Sequence, residues 1–131
     1  MKKWLSIALV LVLCLSMCAC SVNREDDEQA SINILKDQVL GKWEREYEAD
    51  GETNVNVIDI YKGGTGRIKW CDTAGKVVGS NVSLEWEIND GVLNIRYSIA
   101  GSTTAVGYQY MASNDQLVAV ADVQQVYCRV S

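Results

Sequence analysis

The sequence predicts an all-β domain: eight antiparallel strands wound up and down into a small closed barrel, preceded by a short helix or 3₁₀ turn. Three observations carry this. From Gly41 onward, period-2 alternation of apolar and polar residues recurs and no stretch sustains a 3.6-residue period. Clusters of Gly, Asn and Asp interrupt the alternation, and these residues accept the positive φ of tight hairpins. Strand starts therefore fall roughly 9–14 residues apart, with links that permit only neighbouring antiparallel strands. A meander of this kind leaves two unpaired edges unless the sheet closes on itself, and closure removes both.

The elements follow in order. Residues 31–40 place Ile32, Leu35 and Val39 on one helical face, with Ile34 and Leu40 beside it, as a plug for one barrel end. Residues 42–48 set Trp43, Arg45 and Tyr47 on one face and Lys42, Glu44, Glu46 and Glu48 on the other. Residues 55–62 are rich in β-branched side chains, and Val57 and Tyr61 compete with Ile58 and Ile60 for the inward face. Residues 67–72 put Ile68 and Trp70 together. The cleanest alternation is 82–88, with Val82, Leu84, Trp86 and Ile88 inward. Residues 92–99 align Leu93, Ile95, Tyr97 and Ile99, and 106–111 pair Tyr108 with Tyr110. Residues 117–121 and 125–130 complete the eight, while 100–107 read as a loop.

Composition narrows the function. Of 131 residues, 48% are hydrophobic and 22% charged, the balance of one folded domain rather than a disordered chain. A net charge of -5 argues against general nucleic-acid binding, which needs cationic patches. Histidine is absent, which excludes His-based catalysis and His-ligated zinc. No catalytic constellation, cofactor motif or metal site emerges, so the chain reads as a non-enzyme. Glu44, Glu46, Glu48, Asp50 and Glu52 form an acidic row, but same-face strand residues lie roughly 6.5–7 Å apart, too far for a compact cation site. Gly63 to Gly66 reads as a hairpin turn, because no Lys-Ser/Thr pair or helix follows to cradle phosphate. Asp59 reads as an edge or outward acid on its strand.

The N-terminus reads as an export signal spanning 1–19. Lys2 and Lys3 precede an apolar run of about 14 residues, shorter than the roughly 20 of a membrane span. The ending Met17-Cys18-Ala19-Cys20 resembles a bacterial lipobox, with small Ala19 before Cys20. That resemblance implies cleavage before Cys20, attachment of several acyl chains of the palmitate type, and a lipid-anchored protein on the extracytoplasmic side of a bacterial cell envelope. Residues 20–30 then form a lipidated cysteine and polar tether, and 31–131 the barrel domain. Cys71 and Cys128 remain as an even pair in an exported setting, either a disulfide or two separate thiols.

Leu40-Gly41-Lys42-Trp43 opens the first strand after a short lead-in, and Arg129 stands on the last. This resembles the lipocalins and their calycin relatives, where a Gly-x-Trp opens the barrel and an Arg near its end packs over the Trp. The resemblance covers roughly residues 39–131. It assigns structural roles to Gly41, Trp43 and Arg129, and departs from the family in lacking room for a C-terminal helix after Ser131.

Every aromatic here is a Trp or Tyr, so each buried ring brings an N–H or O–H in need of a partner. An eight-stranded barrel is just wide enough to be filled by side chains or to hold one small ligand. The candidate ligand-binding residues are Arg45, Trp86, Tyr97, Tyr108 and Tyr110, with Arg45 the candidate for an acidic group because the related fatty-acid binders hold carboxylates with internal Arg. The leading expectation is an exported lipoprotein binding a small apolar or amphipathic molecule. The alternative is an interaction or inhibitor module for an envelope protein, with a filled barrel and residues 100–107 as its contact.

Overall fold

A computed structural model describes residues 29–131. The expected signal peptide, the expected lipidation site Cys20 and residues 21–28 of the expected tether lie outside the described residues. The chain divides between Ile34 and Leu35: residues 29–34 belong to one unit, and Leu35–Ser131 form the other. Residues 29–38 are helical, so Gln29 and Ala30 belong to a helix rather than to the tether. Gln29 donates to Asn33 at 3.3 Å, an i, i+4 pair of the kind that supports a helical turn.

From Gly41 the chain forms a closed antiparallel barrel in sequential order: β1 (Gly41–Ala49), β2 (Glu52–Tyr61), β3 (Thr65–Asp72), β4 (Val77–Asn89), β5 (Val92–Ile99), β6 (Ser102–Met111), β7 (Gln116–Ala119) and β8 (Val126–Arg129). The sheet shuts through the pairs Trp43↔Arg129 and Glu44↔Cys128. Backbone bonds Val130 N–H to Lys42 O at 2.8 Å and Lys42 N–H to Ser131 O at 3.0 Å continue the seam.

Three differences from the sequence reading have physical causes. Strand β6 begins at Ser102, so most of the expected 100–107 loop is paired sheet, and only Ala100 and Gly101 turn, both at positive φ. Strand β4 begins at Val77, five residues early, because an irregularity between Lys69 and Cys71 lets it continue past the regular register. On β2, Ile58 and Ile60 face inward with Asn56, opposite Trp43 and Gly41 on β1, whereas Val57 is buried on the opposite face. Asp59 is half-buried and sits 3.9 Å from Lys69.

Alternate hairpins define two ends. At one, Val39 and Trp43 are completely buried, and Trp43 donates its indole N–H to the Val39 carbonyl at 2.9 Å. Gly41 follows at φ 128°, and a Cβ there would stand 2.5 Å from the Ser131 carbonyl oxygen; only glycine lets the lead-in pass the C-terminus. At the other end the ladders thin. The β1–β8 pairing stops at Glu44, the β6–β7 pairing at Tyr108 and the β4–β5 pairing at Leu84. This is the open mouth.

Candidate functional site

The interior changes character along the barrel axis. In the half nearer the closed end, Trp43, Ile58, Ile68, Leu84, Leu93, Ile95 and Leu117 are each at most 2% exposed. They fill the space with side chains, as dense interiors do. Trp86 belongs to this half. Its indole N–H donates to the Tyr61 carbonyl at 2.8 Å and the Thr65 carbonyl at 2.9 Å, so it ties the β2–β3 turn to β4. Tyr110 also lies here, edge-on to Trp43 with centroids 6.1 Å apart and its hydroxyl donating to Asp115 at 2.9 Å. Trp86 and Tyr110, expected to line a ligand site, therefore lie in the closed half, where Trp86 also borders a recess of about 390 Å³ with Gly63, Gly64 and Thr65.

The structure brings Trp43 and Arg129 together: the Arg129 guanidinium stands 4.3 Å from the Trp43 ring centroid. Its N–H groups donate to the Leu40 carbonyl at 2.6 Å, to the Gln38 carbonyl and to the Asp115 carboxylate at 2.8 Å. The Arg129 hydrogen bond, then that of Tyr110, holds the Asp115 carboxyl below its ordinary value.

Toward the mouth the interior becomes polar and aromatic. Arg45 pairs across the sheet with Asn56, which pairs in turn with Trp70, all on the inward face. The Arg45 guanidinium carbon lies 5.7 Å from the Tyr47 ring centroid and 5.6 Å from that of Tyr127. Tyr108 meets Tyr127 edge-on at 5.5 Å, and Trp70 meets Tyr97 edge-on at 6.0 Å. Tyr127 donates to the Asn56 side-chain oxygen, and Asn56 donates onward to the Lys69 carbonyl at 3.0 Å. Burial, and then Tyr127, raise the phenols of Tyr97 and Tyr108, strongly for Tyr108; the Arg45 charge alone pulls Tyr108 the other way. Burial thus favours the protonated form of both phenols.

Arg45 is the exception among these satisfied groups. Its Nε is fully buried and has no hydrogen-bond partner. The ion pairs among the described residues are Lys42–Glu44, Lys69–Asp59 and Arg129–Asp115, none of which reaches it. A buried charged donor without an acceptor is costly unless something supplies one. Just outward of Arg45, a recess of about 490 Å³ opens at the mouth, lined by Tyr47, Asn54, Trp70 and Asp72 with residues of the β1–β2 hairpin.

Of the residues predicted for a ligand, Arg45, Tyr97 and Tyr108 gather in the mouth half, and Trp86 and Tyr110 do not. Sequence reasoning missed Asn56, Tyr127 and the recess-lining position of Trp70. Asn56 was legible only once the inward face of β2 was known, because its parity follows that of Ile58 and Ile60.

Cys71 is buried and Cys128 exposed, and both are free thiols. Strands β1 and β2 separate them, about 14 Å of sheet at 4.7–4.9 Å per strand, beyond the reach of a disulfide. The disulfide alternative is thus corrected to two separate thiols. Comparison of the chain with protein-family models, curated proteins and solved structures gives no match.

Proposed function

We propose that this chain is an exported, lipid-anchored, lipocalin-like lipoprotein whose barrel mouth binds a small amphipathic molecule through an acidic group placed at Arg45. The observation that carries the reading is the buried, unpartnered Nε of Arg45, one same-face row inward of a mouth recess lined by Tyr47, Asn54 and Asp72. Ligand sites combine apolar and aromatic walls with a few placed polar groups. Here Trp70, Tyr97, Tyr108 and Tyr127 supply the aromatic surroundings of the mouth half, with the Tyr127 ring beside the guanidinium. An acid at Arg45 supplies the missing acceptor as a charge-assisted hydrogen bond. The filled closed half limits the ligand to a short body seated at the mouth. No bond is made or broken in this reading.

The N-terminal reading supplies the address. The Lys2-Lys3 start, the short apolar run and Ala19-Cys20 support cleavage and lipidation at Cys20, with the barrel on the extracytoplasmic side of a bacterial envelope. Mass spectrometry of membrane-extracted protein is expected to find acylated Cys20 and no residues 1–19; unmodified soluble protein would reject the anchor.

Binding is tested by calorimetry of the full chain in lipid nanodiscs titrated with hexanoate. Saturable binding is expected, lost in Arg45→Gln and kept in Trp86→Phe. Equal binding by both variants would place the site elsewhere. A second reading, an interaction module for an envelope protein, is favoured by one observation: the packed closed half. Absence of any small-molecule binding, together with capture of a defined envelope protein by the outer surface, would select it.

A further inference from the structure

We propose that the molecule held at the mouth is a zwitterion, with its acidic group at Arg45 and a cationic group about 7 Å further out, in the rim recess. The proposal rests on the reading of Arg45 above and adds a second charge to it. The recess walls carry two aromatic rings, Tyr47 and Trp70, and three carboxylates, Asp50, Glu52 and Asp72, with no Lys or Arg among them. Ring faces and carboxylates around one hollow are the surroundings a cation prefers.

The register fixes the spacing. Arg45, Asn56 and Trp70 form one cross-strand row; Tyr47, Asn54 and Asp72 form the next same-face row outward. Same-face neighbours along a strand lie roughly 6.5–7 Å apart. Tyr47 stands one same-face position outward of Arg45, with its ring centroid 5.7 Å from the guanidinium carbon. Asp72 spends Oδ1 on the backbone N–H groups of Ala74 and Lys76, at 3.0 and 2.9 Å. Its other oxygen has no hydrogen-bond partner among the described residues, and Asp72 is part of the recess wall. A simple anion must pass three carboxylates to reach Arg45, whereas a net-neutral molecule carrying its own cation meets attraction at both levels. A carboxylate and an ammonium joined by five methylenes span this distance, so short ω-amino acids define the ligand class.

The test is calorimetry of the full chain in nanodiscs with three probes: 6-aminohexanoate, hexanoate and hexylamine. The expected order places 6-aminohexanoate about tenfold tighter than either single-charge probe, from one cation–carboxylate contact plus ring contact. The double variant Glu52→Gln, Asp72→Asn is expected to erase that advantage while leaving hexanoate at least as tightly bound. The Asp72→Asn change retains a side-chain oxygen to accept the turn N–H groups, and a thermal scan verifies that the variant is folded. Hexanoate binding as tightly as 6-aminohexanoate would overturn the zwitterion proposal and leave the Arg45 reading standing. Hexylamine binding as tightly as 6-aminohexanoate, with no effect of Arg45→Gln, would overturn both, as would no binding by any probe.

Discussion

A single guanidinium, that of Arg129, holds the lead-in, the last strand and the first strand together. It donates to two backbone carbonyls and a carboxylate while stacking on Trp43. Arg129→Ala is expected to lose about 2–4 kcal/mol, from charge-assisted bonds to carbonyls and the ring contact, measured by chemical unfolding. Arg129→Lys should recover little of it, because an ammonium cannot fork to several acceptors. Asp115 makes part of this clasp depend on pH. Its folded carboxyl titrates below the ordinary value of 3.8. The stabilisation is therefore complete above that value and lost as pH falls through the lower folded one. Asp115→Asn should flatten that acid limb of the stability curve; an unchanged limb would remove Asp115 from the clasp. Tyr108 behaves oppositely. Its raised phenol favours the fold below the ordinary value of 10.0, an advantage that declines as pH rises beyond it. Spectrophotometric titration should show Tyr108 ionising only with unfolding, and Tyr108→Phe should remove one late-ionising phenol. The Trp43–Arg129 contact was legible because the lipocalin resemblance pairs an opening Trp with a late Arg and closure makes first and last strands neighbours. The Asp115 contact was not, since it depends on how the β6–β7 turn curls.

At the scale of elements, the alternation in β4 and β5 assigned their inward faces directly, because residues 82–88 and 93–99 carry their apolar side chains at one parity. Strand β2 was ambiguous because both parities are apolar and Val57 is buried despite facing away from Ile58. The early start of β6 escapes a sequence reading for a related reason. Ala100-Gly101 lacks the Asn or Asp that marks a type I′ turn, and the polar Ser102–Ala105 stretch looks like a loop. Yet Ala100 adopts φ 51°, a conformation that costs a β-carbon residue roughly 1–2 kcal/mol. Ala100→Gly or Ala100→Asn should therefore raise stability by about 1 kcal/mol in denaturant titration. The converse holds at Gly66 in β3, where a Cβ would collide with the Asp59 carbonyl and the Leu84 side chain. Gly66→Ala should destabilise by about 1–3 kcal/mol through overpacking. Trp86→Phe should cost a similar amount by orphaning the Tyr61 and Thr65 carbonyls, with no effect on a ligand at the mouth.

Across the whole barrel, packing and polarity are segregated along one axis. The closed half holds most of the fully buried aliphatics and both structural indoles; the mouth half holds Arg45, Asn56 and the phenols of Tyr97, Tyr108 and Tyr127. Ladders that stop short at β1–β8, β4–β5 and β6–β7 widen the mouth without leaving the barrel open along its length. Such a division suits a body that packs tightly at one end and binds at the other. The closure was legible from strand count and turn spacing. The segregation was not, because alternation reports only which face a residue takes, and its height along the axis follows from register. The central claim concerns one atom pair, so the most direct measurement is ¹H–¹⁵N NMR of the Arg45 Nε–Hε group during titration with hexanoate, with Arg45→Gln identifying the signal. A saturable downfield proton shift of that resonance is predicted as the carboxylate becomes its acceptor, while the Arg129 resonance stays in place. An Arg45 resonance that does not move at saturating hexanoate would contradict the account.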